Sequence, residues 1–249
     1  MYVLYAGTNS GINMEDRPKI SAFIDKAIFD YKMIEPGDKI LIGASGGKDS
    51  TALIHYFSNR IKRPDCNFEF GILNIASEVS GGLPEKISAL FKKWGVKENV
   101  VEINVQERLK PGRKMSCYWC TTQRRTELLR YAVANGYNKI ALGHHMDDIL
   151  ETLLMNMLNQ AKITTMPPRL QYEKYPVEII RPLCYVSEDY LKEEAEIEGY
   201  AGFTCTCDFL ENGDRKHARM LLEHLTEGSR IKKEHLFESM RHIDKTYLP

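Results

Sequence analysis

The sequence has no surplus of either charge: 34 Lys and Arg balance 34 Asp and Glu, for a formal net charge of +0. That argues against a uniformly basic nucleic-acid binder. It leaves a local basic patch open, because binding depends on where charge sits. No apolar run approaches the roughly 18–20 residues that cross a bilayer, so no membrane partner is expected. The opening MYVLYAGTNS has no basic stretch ahead of an apolar one, so a signal peptide is not expected and a cytoplasmic location is. Internal repeats and low-complexity tracts are missing too. Cysteine is scarce, at 6 in 249 residues. In a reducing compartment a chain of this size does not rely on a disulfide framework, and closely spaced cysteines point to metal or redox chemistry.

The apolar residues that are present alternate between two periods. KILIGA, FEFGILNI (68–75), NVVEINV (99–105), KIALG (139–143) and VEIIRPL (177–183) read as buried strands. Between several of them lie helical patterns, such as PEKISALFKKWG and RRTELLRYAVANG, and residues 15–34 have helical spacing as well. Strands alternating with helices predict an α/β fold, a doubly wound parallel sheet whose ligands bind at the carboxyl ends of its strands. SEDYLKEEAEIEGY, with Ser187 as N-cap, and RKHARMLLEHLTE predict a small helical C-terminal appendage. The expected organisation is an N-terminal segment and helix over 1–34, an α/β domain over 35–181 and a helical extension over 182–249.

ILIGASGGKDSTALIHYF runs from strand through glycine turn to helix. It is not a Walker A loop, because only three residues separate Gly43 from Gly47 and Asp49 follows Lys48. It still has the parts of a phosphate site. Gly46 and Gly47 let backbone N–H groups approach an anion, the helix that follows offers its positive end, and Ser45, Lys48 and Ser50 add donors. Further on, MSCYWCTTQRR places Cys117 and Cys120 at a predicted helix start, which favours the thiolate form that metals need. A thioredoxin-like pair, a zinc site and an iron–sulfur cluster all stay open, the last two needing further ligands such as those in FTCTCDF. GHHMDD ends the fourth strand, at the same sheet edge as the glycine loop. Asp147 and Asp148 suit Mg²⁺, and His144 and His145 suit phosphate contact or proton transfer. Cys66 and Cys184 read as structural.

SGGKDS resembles the signature of the PP-loop ATP pyrophosphatases. In the order SGGKDS, CYWCTTQRR, KIALGHHMDDILETLLMNML, MPPRL and IIRPLCYV, the chain is similar to the TtcA-type 2-thiocytidine tRNA-modifying enzymes over about residues 20–220. The resemblance implies an ATP-binding domain over 35–181 and an AMP- and pyrophosphate-forming tRNA sulfurtransferase that needs ATP, Mg²⁺ and a [4Fe-4S] cluster. It implies cluster ligation by Cys117, Cys120 and Cys207, with Cys205 as the alternative. It places ATP at Ser45, Gly46, Gly47, Lys48, Asp49, Ser50, Ala76, Gly143, His145 and Asp148, and gives Asp49 a catalytic part beside the cysteines. It further implies tRNA and a sulfide or persulfide donor system as partners, and a homodimer. The basic pieces Lys110, Arg113 and Lys114, Arg124 and Arg125, Lys162 and Arg169, and Arg215, Lys216 and Arg219 would form a tRNA-facing patch. The sequence departs from the family pattern in two places. Ala76 stands where the family has Asp, with Ser77 or Glu78 as substitutes, and CxC replaces two cysteines separated by two residues. An enzyme acting on sulfur of another base or small molecule, desulfidase-like, is therefore a second reading. A non-catalytic nucleotide-binding redox sensor is a third.

Overall fold

The computed structural model describes residues 19–110, 112, 114–201 and 213–247. In chain order the elements are α1 (Ile20–Asp30), β1 (Asp38–Gly43), α2 (Lys48–Arg60), β2 (Phe68–Ser77), α3 (Glu85–Lys93), β3 (Glu98–Ile103), α4 (Cys117–Ala134) and β4 (Lys139–Ala141). Then come α5 (Met146–Gln160), β5 (Arg169–Gln171), β6 (Glu178–Ile180), α6 (Glu188–Ile197), α7 (Asp214–Thr226) and α8 (Arg230–Ser239). The sheet order is β3-β2-β1-β4-β6-β5. Every neighbouring pair is parallel except β5–β6.

Strand β1 shows why the sheet is covered on both faces. Ile40, Leu41 and Ile42 are all fully buried. Successive strand side chains point to opposite faces. Ile40 and Ile42 pack in a core with residues of α1, α2, α5 and α6, while Leu41 packs with Leu128, Leu129 and Ala132 of α4. Among the described helices, α4 is the one packed on that second face.

All five strands read from the sequence form. The sixth, β5, is three residues of edge strand paired antiparallel to β6, too short to leave a period. Helix α8 was also not anticipated: only Lys233 and Phe237 of its ten residues are buried, so it carries almost no apolar stripe. It packs with α7 onto α5, through Leu222 and Phe237.

From β1 the chain moves outward through β2 to β3, then returns to place β4 on the other side of β1. The order reverses between β1 and β4, so their carboxyl ends flank the crevice in which folds of this kind bind ligands. SGGKDS leaves one of those ends and GHHMDD the other.

Candidate active site

The glycine loop is held by its own serines. The Ser45 and Ser50 hydroxyls lie 2.9 Å apart, the Ser50 hydroxyl donates to the Gly47 carbonyl at 3.1 Å, and Ser50 Oγ accepts from the Ser45 N–H at 3.2 Å. Gly46 has φ +82°, a left-handed conformation that favours glycine. Helix α2 starts from Gly47 without a side-chain cap, so its first N–H groups face the crevice uncapped. Gly143, leaving β4, passes directly against this helix start: a Cβ there would lie 3.0 Å from the Ser50 nitrogen and 3.1 Å from the Asp49 carbonyl carbon. Lys48 Nζ is 2.9 Å from Asp49 Oδ1 and 3.4 Å from Glu188 Oε1. Burial opposes its charge, but those two carboxylates hold its pKa above the usual lysine value. The residues present suit a nucleotide polyphosphate: a Cβ-free cradle, an open helix N-terminus and one cation.

The opposite wall is the start of α5. His145 is its N-cap, and the Asp148 carboxylate accepts the His145 N–H at 3.2 Å. Asp148 also accepts from Arg215 at 2.9 Å. Asp147 is committed elsewhere: its Oδ1 accepts from Lys233 and its Oδ2 from the Glu188 N–H, both at 2.8 Å. Burial disfavours its charge, yet these bonds and His145 keep Asp147 well below the usual carboxylate range. Both Asp147 oxygens, expected from the sequence to face Mg²⁺, already have protein partners here. Through them Asp147 ties α5 to α6 and α8.

The adjacent histidines are driven apart. Burial, with help from Arg181, Arg215 and Arg125, lowers His144 to about 4 against the opposing charge of Asp148. Burial pulls His145 the same way, but Asp147, whose Oδ2 lies 3.7 Å from its Nδ1, and the charges of Asp148 and Asp49 raise it above the usual value. At neutral pH His144 is a neutral base, while His145 is pushed toward its charged form, so the two rings are driven in opposite directions. His144 therefore contributes stability that is complete above pH 6.5 and is lost as pH falls toward 4. Urea unfolding at pH 7 and pH 4.5 should show His144→Gln losing less than wild type over that interval, by about 2–3 kcal/mol. Equal losses would mean that His144 is not buried neutral.

Between these walls lies a cavity of about 200 Å³. Ala44, Ser45 and His144 line it from the strand ends, Leu73 and Ile75 from β2, and Thr121, Arg124, Arg125 and Leu128 from α4. Cys117, Cys120, Thr121, Arg124 and Leu128 recur at three- and four-residue spacing, along one side of α4. Both cysteines are half-buried. The turn that bears them is fixed: Ser116 accepts the Trp119 N–H at 3.2 Å, and the Trp119 indole donates to the Val105 carbonyl at 3.1 Å. Two thiols one turn apart on an anchored helix start suit two ligand positions of a metal or iron–sulfur centre. Cys205 and Cys207 lie outside the described residues.

A family model for the PP-loop domain matches residues 16–205. The chain belongs to the PP-loop family. The tRNA-cytidine(32) 2-sulfurtransferase of Polaromonas naphthalenivorans is 35% identical to this PP-loop chain over 230 residues, covering 90% of this chain and 73% of that one. The protein of the same name from Tolumonas auensis is 34% identical over 241 residues, 95% of this chain and 80% of that one. In fold, the chain is similar to a U34-tRNA thiolase from Methanococcus maripaludis solved with its [4Fe-4S] cluster, at TM-score 0.72 and 19% identity over 92% of this chain and 81% of that one. An NMN synthetase from Francisella tularensis shares the fold more distantly, at TM-score 0.53 and 14% identity over 84% of this chain and 87% of that one. The PP-loop assignment and the doubly wound sheet expected from the sequence both stand.

The described structure brings SGGKDS, Gly143, His144, His145 and Asp148 together at one crevice. Ala76 is not among the cavity-lining residues; it follows Ile75 on β2 and points to the other face of the sheet. Glu78 does not replace the missing acid there, because its carboxylate accepts the N–H groups of Val105 and Gln106, at 3.1 and 2.8 Å. Arg215 and Arg219, grouped in the sequence with an RNA-facing patch, form ion pairs with Asp148 and Glu151 at 2.9 and 2.7 Å. Glu188 and Lys233 escaped the sequence reading, since a helix-start glutamate and a lysine in a charged helix carry no signal of burial.

Proposed function

We propose that this chain is an ATP- and [4Fe-4S]-dependent tRNA sulfurtransferase that replaces the C2 oxygen of a cytidine by sulfur. One observation carries the reading: the side of α4 that starts at Cys117 and Cys120 continues through Arg124 into the wall of the cavity edged by the phosphate loop. The names of the relatives and the cluster-bearing fold neighbour support the same reading.

The cytidine C2 oxygen attacks the α-phosphate of ATP, the bridge to the β-phosphate breaks, and pyrophosphate leaves. Sulfide then attacks C2, the C2–O bond breaks, and AMP departs with that oxygen. The N–H groups at the start of α2 and the Lys48 ammonium bind the departing phosphates, Lys48 exchanging Glu188 for phosphate oxygen. Asp148, whose partner Arg215 is half-exposed, is the carboxylate that would hold a nucleotide-borne Mg²⁺, which would neutralise phosphate charge. Neutral His144 takes up a proton in the cavity. Cys117 and Cys120, with Cys207 or Cys205, would hold a [4Fe-4S] cluster, which would supply an iron with an open position for sulfide.

A bacterial strain lacking its own 2-thiocytidine synthesis provides the check. Expression of this chain should restore 2-thiocytidine in total tRNA digests, and Lys48→Ala should not. A strain that expresses the folded chain and gains no thionucleoside would remove the cytidine assignment. Gain of a different thionucleoside would move the reaction to another base.

A further inference from the structure

Away from the crevice, midway along α2, His55 meets Glu194 and Glu198 of the α6 region. One ligand atom from each lies within 4.8 Å of the others. The three line a cavity of about 700 Å³ between α1, α2 and α6. We infer that this cluster is a binding site for a divalent first-row transition-metal ion that fastens α6 to α2.

The donor set fits such an ion. The His55 imidazole is stacked on Trp94, with ring centroids 4.4 Å apart, so its plane is set. Its Nδ1 lies 3.8 Å from Glu194 Oε1. Burial, then the charges of Lys62 and Lys93, hold His55 below the usual histidine pKa against Glu198, which favours the neutral, ligating form. One imidazole with two carboxylates suits Mn²⁺, Fe²⁺ or Zn²⁺ better than Mg²⁺ or Ca²⁺, which prefer oxygen alone. Ions of this class bind N and O at about 2.0–2.2 Å, so their ligand atoms stand about 3–4 Å apart, a small closure from the distances here.

The site also carries a charge problem that a cation resolves. Glu194 and Glu198 are four residues apart on one helix, where like charges repel. Neither forms an ion pair with Lys or Arg among the described residues. Burial and then Glu198 push the Glu194 pKa up, with Lys19 the opposing charge. An independent observation points to the same place. The Tyr200 side chain is fully buried, and its hydroxyl has no hydrogen-bond partner among the described residues. After burial, the charges of Glu194 and Glu198 are what raise its pKa most. Tyr200 packs edge-on against Trp94, the ring that supports His55, at 6.3 Å. An orphaned buried hydroxyl therefore feels the charge of both carboxylates, and its ring packs on the one that supports the imidazole.

The location gives the ion a consequence. Helix α2 begins at the phosphate loop, and α6 begins at Glu188, which holds the loop lysine. An ion between His55 and the carboxylates would fix the two helices that set the position of Lys48.

Mn²⁺ is the appropriate probe, because thiolates such as those of Cys117 and Cys120 bind softer ions. The full chain, freed of metal and without nucleotide, is titrated with Mn²⁺ while the signal of the free ion is followed by electron paramagnetic resonance. Wild type should take up one ion per chain, and its melting temperature should rise with Mn²⁺. Glu198→Gln and His55→Gln should each weaken binding by at least about tenfold. Glu198 is exposed at the helix end, so its variant is expected to keep the fold even if the change at His55 does not. A double replacement of Cys117 and Cys120 by serine should leave the titration unchanged. No uptake by wild type, or equal uptake by Glu198→Gln, would overturn the inference.

Discussion

Replacing Cys117 or Cys120 by serine should remove bound iron and acid-labile sulfide and lower tRNA thiolation by at least about a hundredfold, with ATP binding retained. Serine matches cysteine in size but offers a hard oxygen where iron–sulfur centres take thiolate. Two supports of the turn survive the change: Ser116 caps the helix and Trp119 is bonded to the Val105 carbonyl. Stability should therefore change by less than about 1 kcal/mol. The phosphate loop lies on other elements, so nucleotide affinity is the internal control. Iron, sulfide and ATP affinity measured on protein purified without oxygen separate the outcomes. Full iron content in either variant would take the cysteines out of the site. Loss of ATP binding would mean that α4 supports the loop as well as the cluster.

Lys233→Met should cost about 3–5 kcal/mol of stability, the range for removing one partner of a buried ion pair. Lys233 is 2% exposed, and its ammonium donates to Asp147 at 2.8 Å. Without it, the buried Asp147 charge keeps only the Glu188 N–H and His145. Burial works against the Lys233 charge, but Asp147 and Glu223 together raise its pKa, so the lysine is charged at any working pH. The pH dependence follows from Asp147, whose pKa folding depresses. Its contribution is complete above pH 3.8 and is lost as pH falls through its lower native value. The deficit of Lys233→Met should thus be constant near neutrality and shrink only in strong acid. A double variant that adds Asp147→Asn should recover part of it, because no buried charge is then left unpaired. Since Asp147 also holds the start of α6, and Glu188 there touches Lys48, ATP affinity should fall as well. A deficit below about 1 kcal/mol would show the pair to be hydrated.

What the sequence made legible, and what it did not, divides along physical lines. The central strands were visible because burial on both faces leaves continuous apolar runs such as ILIG. The loop and GHHMDD were visible because the strand pattern places both at one sheet edge, where the order reverses. Adjacent acids look equivalent in a string, and only the fold shows Asp147 turned toward Lys233. That Arg215 and Arg219 pair with Asp148 and Glu151 shows only once α7 is laid on α5. Glu78 seemed a substitute for an absent acid, yet its carboxylate serves the chain leaving β3. Strand β5 has no periodicity to read. His55 and Glu194 are more than a hundred residues apart in the sequence, so their meeting depends on α2 packing against α6.

The most direct measurement is turnover by the purified protein carrying its cluster, supplied with ATP, Mg²⁺, sulfide and tRNA that lacks thionucleosides, read by mass spectrometry of the digested nucleosides alongside AMP and pyrophosphate. The account predicts 2-thiocytidine in step with AMP and pyrophosphate, and none when ATP, sulfide or tRNA is left out. Pyrophosphate released at the same rate without tRNA, with no thionucleoside formed, would contradict it.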